Sequence, residues 1–431
     1  MVEGAAEDPH VRRLPEQALK IPLSPSRSWI LPALLALGLL ARLGYGLHHP
    51  PQRPGQELAD PDCYVEAATS VSRSWTLEVF AQRSAYREPG YPVLLGIMFK
   101  VFGRGYPAVL LTNCGLAAAA LLFLALAGRE LFGETVSLLA AAISACYPPF
   151  IYYAALPARE TAILAASAAA LWTLVRALAR PGAAAFAWAG LAAAFCGLTN
   201  VTLLPFALVL APAAVVLLRR RWLWSGVYLA AFLAVYSVWP LRNYIAFRAW
   251  IPGTTMTSGT ILFNYLVVPQ ELGGTPEEER LRKEDPVFQA AAGMPREQAE
   301  LHFRKASAAW IGSHPWAYLK LVAWRFFWDE WRLWPRPQAA GDSYRKLRWV
   351  GLLTDGWLIP LGLLGMLLAR KVPRSLCLVL FVFALALTHS LILTMLRYRL
   401  PIMPWMILFA SLAVSRLWAL RRGEPLQAPS S

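Results

Sequence analysis

Two acidic residues and an arginine stand in a polar segment between the first two apolar runs of the chain. Asp60 and Asp62 belong to Asp60-Pro-Asp-Cys-Tyr64, and Arg87 begins Arg87-Glu-Pro-Gly-Tyr-Pro92. A carboxylate near a low-dielectric membrane surface has a raised pKa, which makes it a better base towards a hydroxyl or an amine. Arginine presents a planar fork of N–H donors that matches the oxygens of a phosphate. The segment therefore predicts a general base beside a phosphate-binding arginine.

Each of these residues also has a simpler interpretation. Acids at a membrane edge are often solvated loop residues, and an arginine there can reach lipid headgroups. The turn Pro89-Gly90-Tyr91-Pro92 favours a functional role for Arg87, because it is stiff and would hold the arginine in place. Asp60 and Asp62 are both candidates for the base.

Further charged residues lie at the ends of other apolar runs, on the same predicted side. Glu160 begins the fourth run, where the helix dipole also favours an acid. Arg242 follows the seventh run, and Arg397 and Arg399 precede the tenth. Because these arginines oppose the charge bias of the topology, an anionic ligand would account for them. The predicted site has catalytic candidates Asp60 and Asp62, phosphate-binding candidates Arg87, Arg242, Arg397 and Arg399, and supporting residues Tyr64, Tyr91, Glu160 and Asn243.

The elements that must position these residues are membrane helices. Of the 431 residues, 57% are hydrophobic and 16% charged, with a mean hydropathy of +0.44, whereas soluble domains are about 25% charged. Runs of about 20 apolar residues can cross a bilayer core of roughly 30 Å as helices. The sequence predicts an all-α, polytopic membrane protein with about ten spans, at 29–47, 107–127, 134–153, 158–178, 184–200, 202–218, 223–241, 351–369, 375–394 and 401–420.

Positive charge marks one side of this predicted protein. The net charge is +15, and with ten spans most of the basic clusters fall on the side of the termini, which is typical of cytoplasmic loops. Both termini are therefore predicted to be cytoplasmic, in a multi-pass protein of the inner or plasma membrane. Topology and lipid headgroups account for the charge, and nucleic-acid binding is not supported. The clusters are Arg219-Arg220-Arg221, Arg370-Lys371 with Arg374, and Arg416 with Arg421-Arg422.

The topology divides the chain into five parts. The predicted parts are a cytoplasmic tail (1–28), an N-terminal transmembrane module (29–241) whose first external loop is 48–106, an extracytoplasmic loop (242–350), C-terminal transmembrane helices (351–420) and a cytoplasmic tail (421–431). Because the cytoplasmic connections are short, chemistry is expected on the extracytoplasmic side. The spacing of the cysteines and histidines predicts neither a disulfide framework nor a metal site.

The order of these motifs resembles the GT-C class of membrane glycosyltransferases. The branch that it resembles most contains the bacterial relatives of dolichyl-phosphate-mannose–protein mannosyltransferases and of the lipid A aminoarabinose transferase. The shared features are Asp-x3-Tyr in the first loop, Arg-x-Pro-Gly-Tyr-Pro before the second span, the acid at the head of the fourth span, and matches at 239–244, 254–264, 314–315 and 397–404. The resemblance covers residues 29 to 420.

The resemblance implies transfer of a sugar from a polyprenyl phosphate on the extracytoplasmic face. It also implies that an acid of the first loop is catalytic; by its spacing to Tyr64, Asp60 matches that acid best, and Asp62 is second. The implied enzyme is a hexosyl- or pentosyltransferase. Its partners would be the lipid-linked donor, a protein, lipid or glycan acceptor, and membrane lipid.

The residues fit such a reaction by themselves. A phosphate-linked sugar has a good leaving group, so the site needs arginines to stabilise the departing phosphate and a carboxylate to activate the acceptor. No cofactor is required, and the chemistry allows a divalent metal without demanding one. A transporter or flippase of a lipid-linked anion is the alternative, although no internal repeat of the kind found in transporters is visible. A non-catalytic membrane scaffold is the third interpretation.

Overall fold

The computed structural model describes residues 29–51, 58–79, 82–254, 259–336 and 341–422, and most of them are helical. The predicted tail 1–28 lies outside the described residues, as do all but two residues of the tail 421–431 and part of the stretch 254–264. The all-α prediction is confirmed.

The architecture consists mainly of α-helices. Those of the described residues are α1 Ile30–His48, α2 Tyr64–Ser74, α3 Gly90–Phe102, α4 Tyr106–Phe132, α5 Glu134–Cys146, α6 Pro148–Ala154, α7 Glu160–Ala179, α8 Ala183–Thr199, α9 Ala211–Arg219, α10 Trp222–Tyr236, α11 Val238–Phe247, α12 Thr260–Val267, α13 Pro276–Glu284, α14 Pro286–Ala291, α15 Arg296–Ser313, α16 Pro315–Trp324, α17 Tyr344–Leu353, α18 Asp355–Ala369, α19 Leu376–Ile392 and α20 Met403–Arg421.

Shorter elements connect these helices. A two-stranded antiparallel hairpin joins β1, Glu78–Val79, to β2, Gln82–Arg83. The 3-10 turns of the described residues are Val201–Leu203, Gln270–Leu272, Gly341–Ser343, Pro373–Ser375 and Leu396–Arg399, and the π-helical turns are Phe206–Leu210 and Arg325–Asp329.

Eight helical stretches of the described chain are long and apolar enough to cross a membrane. They are Ile30–His48, Tyr106–Phe132, Glu160–Ala179, Val201–Arg219, Trp222–Phe247, Gly341–Ala369, Pro373–Ile392 and Met403–Arg421. The two other predicted spans are helical as well. Run 134–153 bends by 56° between α5 and α6, where Pro148 and Pro149 prevent a continuous helix, and run 184–200 is α8, of 17 residues.

The centre of the bundle is α7, which is buried along most of its length against α4 and α8. At the other end of the chain, α18 packs against α20 so closely that a Cβ on Gly365 would lie 1.9 Å from the main-chain oxygen of Phe409. Small residues permit such close helix contacts in membranes. Because α7 is held between α4 and α8, the position of Glu160 in its first turn is fixed as well.

The first external loop is an ordered unit rather than a loose connection. Its two helices, α2 and α3, pack face to face at Gly96, where a Cβ would lie 2.7 Å from the Val71 side chain. The buried face of α2 rests on α3, which leaves its N-terminus and its polar face for other contacts.

The helix of the seventh span continues further than predicted. It reaches Phe247 rather than residue 241, so Arg242 and Asn243 lie within α11 rather than in a loop after the span. The apolar character of Tyr244 to Phe247 extends the helix past Arg242 and Asn243, so these two polar residues do not end it.

Candidate active site

Asp60 caps the N-terminus of α2. Its Oδ1 accepts a hydrogen bond from the backbone N–H of Tyr64 (2.8 Å), and its Oδ2 accepts from those of Val65 (2.8 Å) and Glu66 (3.1 Å). Burial raises the pKa of Asp60 above its ordinary value, although the three amides act in the opposite direction. The cap therefore holds a basic carboxylate in one orientation.

Asp62 has different surroundings from Asp60, although only one residue separates them. One of its oxygens pairs with Nη2 of Arg87 at 2.5 Å, and the other pairs with Nη1 of Arg397 at 3.2 Å. Nε of Arg87 also donates to the main-chain oxygen of Asp62, at 3.0 Å. Two of the four arginines predicted to bind phosphate thus converge on one carboxylate from distant parts of the chain.

Aromatic rings hold Arg87 on its other side. Its guanidinium lies over the ring of Tyr86 at 4.7 Å and near that of Tyr64 at 5.6 Å. Tyr64 in turn meets Tyr91 edge to face, with 5.4 Å between the ring centroids, and the Tyr91 hydroxyl donates to the buried Asn113 at 3.1 Å. The two predicted supporting tyrosines therefore form part of the wall behind Arg87.

Glu160 lies at the edge of the same cluster. Its side chain is buried, and its Oε2 has no hydrogen-bond partner among the described residues. Burial lowers the pKa of Arg397, but the carboxylates of Glu160 and Asp62, together with a hydrogen bond to the Tyr398 side chain, raise it by more, so the net direction is upward. Glu160 thus belongs electrostatically to the Asp62–Arg87–Arg397 group, which we call the arginine cluster.

Arg242 and Asn243 are not part of the arginine cluster. Nη1 of Arg242 donates to the main-chain oxygen of Ser84 (3.1 Å) and to Oδ1 of Asn243 (3.0 Å). The fully buried Asn243 donates to the main-chain oxygen of Ile251 at 2.9 Å. These contacts fasten the hairpin of the first loop to α11, so we leave both residues out of the phosphate site proposed below.

Arg399 is held in a separate, closed network. Its Nη2 pairs with Asp355, and its Nη1 donates to the main-chain oxygens of Glu330 (2.9 Å) and Arg332 (2.8 Å). The residue is 2% exposed. These contacts connect the turn that carries Arg399 to the start of α18 and to residues 330–332. We therefore also leave Arg399 out of the proposed site.

A large polar cleft adjoins Asp60. It has a volume of about 1030 Å³ and runs along the polar face of α2. Its lining includes two more acids, two arginines and several hydroxyls: Glu66, Thr69, Ser70, Arg73, Ser74, Glu78 and Arg104. A substrate with many hydrogen-bonding groups would find partners along this wall, with Asp60 at the head of the helix.

Sequence reasoning missed a buried ion pair beside the cluster. Glu88 and Arg159 bind each other, and Oε1 of Glu88 also accepts from the backbone N–H of Val201 at 3.1 Å. Their neighbours in the sequence, Arg87 and Glu160, were selected instead. The available signal was charge pairing, because each charge at the end of a membrane helix needs a partner.

A metal site in a protein needs several His, Cys, Asp or Glu side chains that lie close together. Within the described residues, no three His, Cys, Asp or Glu side chains are arranged so that they could hold a metal ion.

Comparison with known proteins begins with the sequence. The sequence profile of the dolichyl-phosphate-mannose-protein mannosyltransferase family matches residues 87–242, a range that begins at Arg87 and ends at Arg242. No curated protein matches the whole sequence significantly.

Solved structures match over almost the whole chain. The oligosaccharyltransferase AglB from Archaeoglobus fulgidus, in complex with an inhibitory peptide and a dolichol-phosphate, superposes with a TM-score of 0.55 at 16% identity, over 92% of this chain and 52% of AglB. The same enzyme tethered to an acceptor peptide gives 0.56 at 16% identity, over 92% and 51%. The chain has the GT-C fold. The resemblance that the motifs predicted is thus confirmed, and the chain spans about half the length of AglB.

A third structure matches less well. ArnT from Cupriavidus metallidurans, bound to undecaprenyl phosphate, has a TM-score of 0.45 at 12% identity, over 91% of this chain and 79% of ArnT. This score is too low to support an argument about the site.

Proposed function

We propose that this protein is an integral-membrane glycosyltransferase that moves a sugar from a polyprenyl-phosphate donor to an acceptor on the extracytoplasmic face of the inner or plasma membrane, with both termini in the cytoplasm. The observation that carries the proposal is the convergence of Arg87 and Arg397 on Asp62, two residues along the chain from the capped carboxylate of Asp60. The mannosyltransferase profile over residues 87–242 and the GT-C fold support the reaction class.

The arginine cluster is suited to the donor phosphate. Arg87 and Arg397 bring two guanidiniums to one anion, and planar guanidiniums bind phosphate oxygens in pairs of hydrogen bonds. As the bond between the anomeric carbon and the phosphate oxygen breaks, its electrons move to that oxygen. The two arginines stabilise the charge that develops there, and no general acid is needed.

Asp60 is suited to be the base. Its raised pKa favours proton uptake, and Oδ1, which accepts from only one of the three amides, retains a lone pair for the proton. It takes the proton of the acceptor hydroxyl or amine while the acceptor atom forms its bond to the anomeric carbon. Direct displacement would invert the configuration at that carbon. Asp62 instead bridges the two arginines.

The cleft along α2 is the proposed place of the acceptor. Its polar lining fits a peptide or glycan segment better than an acyl chain, because only Leu58 and Val65 among its lining residues are aliphatic. An acceptor peptide and dolichol-phosphate are bound by AglB, which supports a lipid-linked donor here. The sugar, a hexose or a pentose, and the acceptor class are left open.

Transfer by the purified protein tests this proposal. In proteoliposomes that contain radiolabelled polyprenyl-phosphate sugars and an envelope extract as acceptor, we expect labelled product and free polyprenyl phosphate in equal amounts. Movement of labelled lipid across the bilayer without any glycosyl product would instead favour the flippase. Inactivity of Arg87→Gln, with an unchanged melting temperature, would connect the transfer to the arginine cluster.

A further inference from the structure

Asp62 occupies the place that a phosphate would need. Its two oxygens lie between Arg87 and Arg397, at 2.5 Å and 3.2 Å, so that the carboxylate bridges the two guanidiniums as an anionic ligand would. The arginine cluster is therefore already neutralised in part by a residue of the chain itself. A donor phosphate that binds both arginines must compete with Asp62.

The ion pairs of Asp62 are incomplete. A guanidinium has five N–H donors, and Nε of Arg397 has no acceptor in the described part of the protein. The side chains of Arg87, Asp62 and Arg397 are 14%, 17% and 32% exposed. A phosphate offers more acceptor oxygens than a carboxylate, so it can accept hydrogen bonds from more of the guanidinium N–H groups than Asp62 does.

We propose, on the basis of the function given above, that Asp62 is a displaceable counter-ion of the donor-phosphate site. In the absence of donor it holds Arg87 and Arg397 together against their mutual repulsion. The donor phosphate displaces the Asp62 carboxylate and takes its place. After transfer, Asp62 returns to the arginines and helps to release the polyprenyl phosphate.

Product release is the step where this competition matters most. The donor is a phosphodiester with one negative charge, whereas the product is a monoester that carries between one and a half and two charges at neutral pH, by analogy with other phosphate monoesters. Two arginines would therefore hold the product more tightly than the donor. A carboxylate that re-forms its own ion pairs opposes this and keeps the product from blocking the site.

Binding of undecaprenyl phosphate tests the role of Asp62. We expect Asp62→Asn to bind this lipid in nanodiscs about tenfold more tightly than the wild type, because a close charge pair no longer competes. Its dissociation should be slower, and steady-state turnover should fall more than the rate of a single turnover. Asp62→Ala is the second variant, and Asp342→Asn, an exposed aspartate on another turn, is the matched control.

The outcomes separate this inference from the proposed function. Equal or weaker binding by folded Asp62→Asn and Asp62→Ala would overturn the counter-ion role, even if the enzyme transfers sugar. If Arg87→Gln and Arg397→Gln bind undecaprenyl phosphate as well as the wild type, the phosphate site itself is wrong, and the inference fails with it. A purely structural role for Asp62 would weaken binding and would not slow dissociation.

Discussion

Arg397 and Arg399 lie two residues apart on one 3-10 turn, Leu396–Arg399, but their surroundings are opposite. The Arg397 side chain is 32% exposed and shares Asp62 with Arg87, while that of Arg399 is 3% exposed and bound to Asp355 and two main-chain oxygens. Asp355 also accepts a hydrogen bond from the Tyr147 hydroxyl. In both arginines Nε lacks an acceptor among the described residues, so exposure and the partners of the Nη atoms are what separate the partly exposed Arg397 from the buried Arg399.

The difference shows how a single turn can serve two purposes. Neighbouring side chains on a tight turn point in different directions, so residues 397 and 399 reach different parts of the molecule. Burial, and the pairing of Arg399 with main-chain oxygens and Asp355, distinguish the structural arginine from the candidate ligand. The same change, arginine to glutamine, should therefore have opposite consequences at the two positions.

Arg399→Gln is expected to have the largest effect, and to have it on stability. Removal of one partner of a buried ion pair leaves the other charge uncompensated, which costs about 3–5 kcal/mol. The free energy of unfolding in detergent micelles measures this loss. Asp355→Asn should behave similarly, and the double variant should be more stable than the sum of the two losses predicts. Equal stabilities of Arg399→Gln and Arg397→Gln would contradict the comparison.

Arg397→Gln should affect transfer rather than folding. Loss of one group that stabilises developing charge lowers kcat by about 10²–10³-fold. Sugar transfer in proteoliposomes measures the rate, and the melting temperature checks the fold. Exposed Arg345 provides the control as Arg345→Gln, which should transfer normally. A normal rate for Arg397→Gln would remove this arginine from the site.

Much of the fold could be predicted from the sequence because the relevant signals are local. Long apolar runs define spans, and all ten predicted spans are helical. The break between α5 and α6 follows from adjacent prolines, yet the sequence alone does not show how far the chain turns there. The predicted end of the seventh span was wrong. A charged residue such as Arg242 often marks the end of an apolar helix, but in the structure Arg242 lies within α11.

The site was less predictable because its contacts join distant residues. Asp60 and Asp62 look alike in the sequence. In the structure, contacts with the start of α2 identify Asp60 as the helix cap, and contact with Arg397 identifies Asp62 as the proposed counter-ion. Arg242 and Arg397 also look alike, and their partners decide their roles. The helices and the residue types of the site could be predicted from the local sequence, whereas the role of each residue depends on tertiary contacts.

The pH dependence of sugar transfer tests the role of Asp60 as the base. Because burial raises the pKa of Asp60 above 3.8, its ordinary value, protonation should abolish the base at a higher pH than for a solvated aspartate. Below that pKa, kcat/KM should fall about tenfold per pH unit. A pH profile of the free enzyme measures this limb. An acid limb at the ordinary aspartate value would mean that Asp60 is not the titrating base.

Arg242→Gln should have the smallest effect on donor binding. The variant loses hydrogen bonds from a charged group to the segment around the hairpin, which would lower stability by about 1.5–3 kcal/mol. Affinity for undecaprenyl phosphate should stay within about twofold of the wild type, since Arg242 is not in the arginine cluster. A large loss of lipid binding would return Arg242 to the phosphate site predicted from the sequence.

The most direct test of the account is the transfer rate of Asp60→Asn in a single turnover. Asparagine can keep much of the cap but cannot take a proton, so we expect the rate to fall by about 10²–10⁴-fold. Binding of undecaprenyl phosphate should be retained, because Arg87 and Arg397 are intact. Transfer by Asp60→Asn at the wild-type rate would contradict the assignment of Asp60 as the base.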